Sequence, residues 1–156
     1  MSLFKALFGS DNNAANIVAP LLSEPPFHEK ALEQLDLLDK FAKEMSGSIS
    51  TSVYSQLRTI DDILRPLLEY LKTHDIVMEQ KVLIQSIITD YVPTPLETFK
   101  LLPENDKVDG GKGDLLLTQQ YDTIEANTRE LAAEIYGRVL SELSTQAIFI
   151  KNKFGE

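Results

Sequence analysis

From Phe27 onward the apolar residues recur at intervals of three and four, the spacing that lines one face of a helix. Between Phe27 and Met45 the stripe is Leu35, Leu38, Ala42 and Met45, and Ser46-Gly47-Ser48 ends it. A second stripe, Val53, Leu57, Ile60, Leu64, Leu67 and Leu71, predicts a helix over about Thr51 to Lys72, with Ser50 to Ser52 as N-cap candidates. Pro66 lies inside it and predicts a kink, because its ring clashes with the Asp62 carbonyl. After the Thr73-His74-Asp75 connection, a third helix is expected over about Ile76 to Tyr91, with Leu83, Ile84, Ile87, Ile88 and Tyr91 facing inward. Pro93 stops it.

Thr94-Pro95-Leu96-Glu97 places Thr at an N-cap, Pro at the first helical position and Glu at the third, which predicts a short capped helix from Pro95 to Leu102. Glu104 to Gly113, with three glycines and alternating charges, reads as a flexible connector. The last stripe is the longest: Leu117, Tyr121, Ile124, Thr128, Leu131, Ile135, Val139 and Leu143, continuing through Ala147, Ile150 and Phe154. About 38 residues of helix span roughly 57 Å, against roughly 33 Å for the second helix, so one bundle layer cannot cover it. The alternative is a break near Gly137 or Ser144-Thr145 that folds the end back. No segment alternates with period two, so no strand is assigned.

The expected architecture is therefore all-α: an antiparallel bundle of four main helices plus the short capped helix, ending in a long C-terminal helix. Its second, third and final helices are expected to form the core. The bundle domain covers residues 27–156. Residues 1–26 form a short amphipathic segment, with Leu3, Phe4, Leu7 and Phe8 on one side, followed by a flexible linker.

Composition narrows the function classes. The 156 residues are 43% hydrophobic, enough for a packed core. The absence of Cys removes disulfides, thiolate metal sites and cysteine nucleophiles. A net charge of -9 argues against nucleic acid, whose phosphates need a basic surface. That charge is spread along the chain, and the end is locally basic, with Lys151 and Lys153 against Glu156. The N-terminus lacks the long apolar region and cleavage site of a signal peptide, and no apolar run reaches the ~18 residues of a spanning helix. The expected location is cytoplasmic, with a membrane-peripheral position as the alternative.

Catalytic motifs fail on their own terms. Lys107 to Gly113 lacks the Gly-Lys-Ser/Thr of a phosphate loop, and a calcium loop starting at Asn105 would put Leu116 where a bidentate Glu is needed. His28 and His74 are the only histidines, and neither follows a Glu at the spacing of a dinuclear metal site. Asp61 and Asp62 point about 100° apart on a helix, which favours a solvated face for both over acid/base work. Tyr54, Tyr70, Tyr91, Tyr121 and Tyr136 read as core-edge aromatics rather than a base-stacking platform. No catalytic residue, metal or other cofactor is nominated.

What remains is apolar surface at the two ends of the chain. Leu3, Phe4, Leu7 and Phe8 at one end, and Ile148, Phe149, Ile150 and Phe154 at the other, are the candidate partner-binding residues. The expected function is a non-catalytic interaction or scaffold module that binds a protein partner or a second copy of itself. One alternative is a peripheral membrane protein anchored by the N-terminal segment. With Lys5 its only cation and Ser2 where myristoylation requires Gly, such membrane contact is weak. Another is a small-molecule-binding or hydrolytic domain with a site near Tyr91 and the Asp109 loop.

Asp90-Tyr91-Val92-Pro93-Thr94-Pro95-Leu96-Glu97-Thr98-Phe99-Lys100-Leu101-Leu102-Pro103 resembles a block found in a group of uncharacterised bacterial helical proteins. Their pattern runs Tyr-Leu-Pro, Thr-Leu, an aromatic, then Leu-Pro; here Val92 replaces the Leu and Pro95 precedes the next one. Leu57-Arg58-Thr59-Ile60-Asp61-Asp62-Ile63-Leu64 is similar to their first long helix, and Ile148 to Phe154 to the end of their last. More loosely, the Tyr-x-Pro block resembles XpaC-type and toxic-anion-resistance-type proteins. The resemblance, over roughly Val53 to Phe154, implies a bacterial, all-helical protein with no assigned functional residues.

Overall fold

A computed structural model describes residues 25–155, and these residues are helical almost throughout, with no strand among them. α1 spans Phe27–Met45. It starts directly after Pro25-Pro26, where the extended Pro26 offers its carbonyl to the Glu29 and Lys30 amides at 3.1 and 3.2 Å. α2 spans Thr51–Tyr70 and runs unbroken through Pro66. Its N-cap is Ser50, whose Oγ accepts the Val53 amide at 3.1 Å in a buried setting. Replacing Ser50 by Ala leaves that amide unpaired, and urea unfolding is expected to show a loss of about 1 kcal/mol. A variant as stable as the parent would mean that the cap contributes nothing.

The third helical stretch differs most from expectation. α3 covers Met78–Ser86, two residues later than expected, because Ile76 is buried in the preceding turn. A π-helical turn, Ile87–Tyr91, continues it, and α4 follows at Pro93–Phe99. Thr94 is not an N-cap: Val92 before Pro93 is already helical, and the Thr94 hydroxyl donates to Asp90 one turn back at 3.1 Å. The π turn is closed by the Val92 amide donating to the Ile87 carbonyl at 3.1 Å, five residues back. It widens the repeat just before the proline, whose missing N–H would break a regular α ladder. The buried positions run Gln80, Ile84, Ile88, Val92 and Leu96 at intervals of four, with Ile87 buried beside them; Ile84, Ile87 and Ile88 face inward as expected. Tyr91, expected inside, is turned out and half-exposed, and so is Leu83.

The expected flexible connector is a folded corner. Glu104–Lys107 forms a single helical turn, α5, and α6 begins at Lys112. Gly110 holds the left-handed conformation at φ 78°, and its amide donates to Asp114 Oδ2 at 2.8 Å. That carboxylate sits at the N-terminus of α6, where the helix dipole favours negative charge. α6 spans Lys112–Ile150 without a break at Gly137 or Ser144, which removes the folded-back alternative, and a second π turn follows at Lys151–Gly155.

Consecutive long elements alternate in direction. Asp39 pairs with Arg58 and Asp36 with Arg65, so α1 and α2 are antiparallel. Gln80 bonds Glu134 while the Tyr121 hydroxyl bonds the Val92 carbonyl, so the α3–α4 stretch is antiparallel to α6. It follows that α2 and α6 run the same way: Gln56 bonds the Thr118 carbonyl near their starts, and Tyr70 meets Tyr136 further along. These two pack closely together, with α1 and α3 flanking them. The core draws on α1 as well as the expected helices, through Ala31, Leu35, Ala42 and Met45.

Candidate interaction surface

α6 outgrows the bundle. Its 39 residues span about 58 Å, against about 30 Å for the 20 of α2. Leu117, Tyr121, Thr128, Leu131 and Ile135 are buried on one stripe. The next positions at the same spacing are Arg138, Glu142 and Thr145, and all three are exposed. The bundle ends there, where Ile135 and Val139 lie beside the Tyr70–Ile76 turn. The start of α1, at Pro26 to His28, faces the same turn.

Beyond that level α6 stays apolar, first on a different face and then, at Ile148, Phe149 and Ile150, around to the old stripe as well. From Tyr136, which is half-buried against Tyr70, the exposed positions Leu140, Leu143, Ala147, Ile150 and Phe154 follow at steps of four and three. This row is offset by one residue from the buried stripe, about 100° around the helix. Leu140, Leu143, Ile148, Phe149, Ile150 and Phe154 are each between 54% and 77% exposed. Folded domains seldom expose so many large apolar side chains contiguously. Of the residues expected to bind a partner, Ile148, Phe149 and Ile150 lie at the end of α6 and Phe154 in the π turn after it. Leu3, Phe4, Leu7 and Phe8 lie outside the described residues, as does the membrane anchor proposed for them. Leu140 and Leu143 belong to the exposed surface, although sequence spacing assigns Leu143 to the bundle stripe. The signal that separates them is the switch to Arg138, Glu142 and Thr145 on the old stripe.

The charged residues do a different job. Asp61 is buried, contrary to the solvated face expected for it, and takes the Arg65 guanidinium through both oxygens at 3.0 and 3.2 Å. Arg65 also reaches Asp36 at 2.8 Å, and Arg58 pairs with Asp39. This ladder fastens α1 to α2. The hydrogen bond from Lys43 holds the Asp39 carboxyl below its ordinary value of 3.8, against the opposing effect of burial and with help from Arg58. A depressed carboxyl stabilises the fold fully above its ordinary value, and the effect is lost as pH falls through the folded value. Asp39→Asn is therefore expected to cost up to about 1 kcal/mol near neutrality, limited because Lys43 is solvent-screened. The gap from the parent should close below pH 3.8, which urea unfolding as a function of pH reads directly. A constant gap would contradict this.

His28 and His74 both line a cleft of about 530 Å³ beside Asp75 and Lys81. His74 stacks flat on Tyr70 with centroids 4.1 Å apart, and its Nδ1 lies 3.1 Å from the Tyr70 carbonyl. Lys81 is paired with Asp75 at 2.9 Å. Among the described residues no three His, Cys, Asp or Glu side chains group as metal ligands. Tyr91 lines an open groove with Asp90, Thr94 and Ile124, and Asp109 is not part of its walls. Tyr121 is wholly buried, not at the core edge.

No helix among the described residues is long and apolar enough to cross a membrane. No family model, curated protein or solved structure matches this chain.

Proposed function

We propose that this chain is a non-catalytic interaction module whose docking element is the projecting end of α6. The supporting observation is the apolar row from Leu140 to Phe154, exposed among the described residues on a helix whose other end is packed in the bundle. The closely packed bundle acts as the base, and the helix end presents side chains at fixed spacing to a partner. The acidic surface elsewhere keeps the base soluble and leaves the apolar end as the adhesive region.

A photo-crosslinking amino acid placed at Phe149 in the native cells tests this. Discrete protein adducts are expected there and not from the same group at Glu44, an exposed position on α1. Equal labelling at the two sites, or none at Phe149, would overturn the reading.

A further inference from the structure

We infer that the groove between the α3–α4 stretch and α6 is a second docking surface, and that its occupant is a basic amphipathic helix of another protein; it lies apart from the projecting end of α6 and stands without it. Two hollows of about 580 and about 250 Å³ meet at Tyr91, Ile124 and Asn127 and form one open trough. On one wall Gln120, Ile124, Asn127, Leu131 and Glu134 follow at steps of four and three along α6, a run of roughly 21 Å. On the other, Leu83, Ile87, Tyr91 and Pro95 follow at steps of four. Ile87 and Leu131 are buried and make an apolar floor, along which Leu83 and Tyr91 are 36% and 48% exposed. Tyr91 stands there because the π turn rotates it out of the core, and π turns recur at functional sites. Both walls are helical, so no sheet edge is offered to an extended strand. An open trough of about four turns between antiparallel helices takes a further helix, whereas a small ligand needs a site that encloses it.

Charge selects the occupant. Three carboxylates, Asp90, Glu130 and Glu134, line the trough, and no lysine, arginine or histidine does. Among the described residues none of the three is in a salt bridge. The hydrogen bonds they accept come from neutral groups: the Thr94 hydroxyl donates to Asp90, and the Gln80 amide to Glu134. Arg129 stands about 200° around α6 from Asn127 and pairs with Glu125, and Lys81 pairs with Asp75. The clefts around the α2–α3 turn differ, with Lys72, Lys81 and Arg138 among their walls. An apolar floor under uncompensated carboxylates fits a helix whose apolar face is flanked by Lys or Arg, and the half-exposed Tyr91 ring offers such a cation its face. A second copy of this chain, at a net charge of -9, meets the trough with like charge.

A helical peptide of about 14 leucine and lysine residues, the lysines flanking an apolar face, is the probe. Added to the full chain, it is expected to shift the amide NMR signals of Tyr91, Ile124 and Asn127, with a Kd of about 10–100 µM at about 50 mM salt. Raising the salt to about 500 mM should weaken binding about tenfold. Glu130→Lys should weaken it about tenfold, and Tyr91→Ala about as much, whereas Glu44→Lys on α1 should change it less than about twofold. Glu130 and Glu44 are both exposed, so neither charge reversal disturbs the fold. A leucine–glutamate peptide of the same pattern should leave the three signals in place. No movement of the three signals, or movement confined to Leu143 to Phe154, would overturn the groove. Equal affinity for the Glu130→Lys and Glu44→Lys proteins, or for the two peptides, would overturn the basic occupant. Spermine that shifts the three signals at a lower concentration than the peptide would make the ligand a small organic cation and overturn the helix. Signals that move with protein concentration alone would make the occupant a second copy and overturn the separate partner.

Discussion

Replacing Gly113 by alanine destabilises the bundle by about 3 kcal/mol, while the same change at Gly137 stabilises it by about 0.5–1 kcal/mol. Both glycines lie inside α6, so intrinsic helix propensity favours alanine at each. The surroundings reverse the sign at one of them. A Cβ at Gly113 would stand 2.5 Å from the Asp106 carbonyl oxygen, 2.6 Å from Leu102 Cδ1 and 3.0 Å from Phe99 Cε1. Leu102 can swing aside, but the carbonyl belongs to the backbone of α5 and moves only with the whole corner. A Cβ at Gly137 meets nothing within 4 Å. For a chain of this size about 2–4 °C of thermal midpoint accompanies each kcal/mol, so the two variants should lie about 10 °C apart. The comparison needs a single protein concentration, since association would shift both midpoints. A Gly113→Ala protein at least as stable as the parent would show that the corner between α4 and α6 is not the close contact described.

That pair of glycines shows where sequence stopped being informative. The stripes of α1, α2 and the first part of α6 are legible because each buries one face against a continuous neighbour, and a period near 3.6 is all that such burial requires. Val53, Leu57, Ile60, Leu64 and Leu67 are buried as their spacing implies. Residues 104–113 were illegible because glycine written for close approach and glycine written for freedom are the same letter. Gly110 sits at a positive φ that closes the corner, Gly113 admits the backbone of α5, and Asp114 caps the start of α6. Composition alone reads the same residues as a flexible loop.

The outward turn of Tyr91 has a different origin. Pro93 was visible as a helix stop, and locally Thr94-Pro95-Leu96-Glu97 is a good start signal. What spacing cannot show is that one extra residue in the π turn carries the helix through to the proline and restores helical geometry on its far side. Every residue after the insertion is rotated, so Val92, Leu96 and Phe99 face the core in place of Tyr91. The apolar end of α6 was half legible. Ile148, Phe149, Ile150 and Phe154 were recognisable as uncovered apolar residues from helix length alone. The membership of Leu140 in a second row needed the level at which the bundle ends, which is a tertiary quantity.

Replacing Tyr121 by phenylalanine is expected to cost about 1–3 kcal/mol near neutral pH, and the cost should shrink in strong alkali. Tyr121 is fully buried on α6, and its hydroxyl donates to the Val92 carbonyl at 2.6 Å. Val92 joins the π turn to Pro93, so this bond ties α6 to the point where the third helical stretch is reorganised. Phenylalanine keeps the ring and its packing and removes only the donor, which leaves a buried carbonyl without that partner. Burial also pushes the Tyr121 hydroxyl above its ordinary value of 10, because the phenolate has no solvation in the core. Stability from the protonated hydroxyl is therefore complete below pH 10 and is lost as pH rises toward the folded value, since the unfolded chain ionises first. Tyr136 is shifted the same way by its own burial and by Tyr70, so the variant keeps a weaker alkaline slope. Urea midpoints from about pH 7 to about pH 11.5 should show the parent and Tyr121→Phe proteins converging at the alkaline end. Parallel curves would mean that Tyr121 titrates like an exposed phenol, and equal stability at neutral pH would mean that the hydroxyl is not what secures Val92.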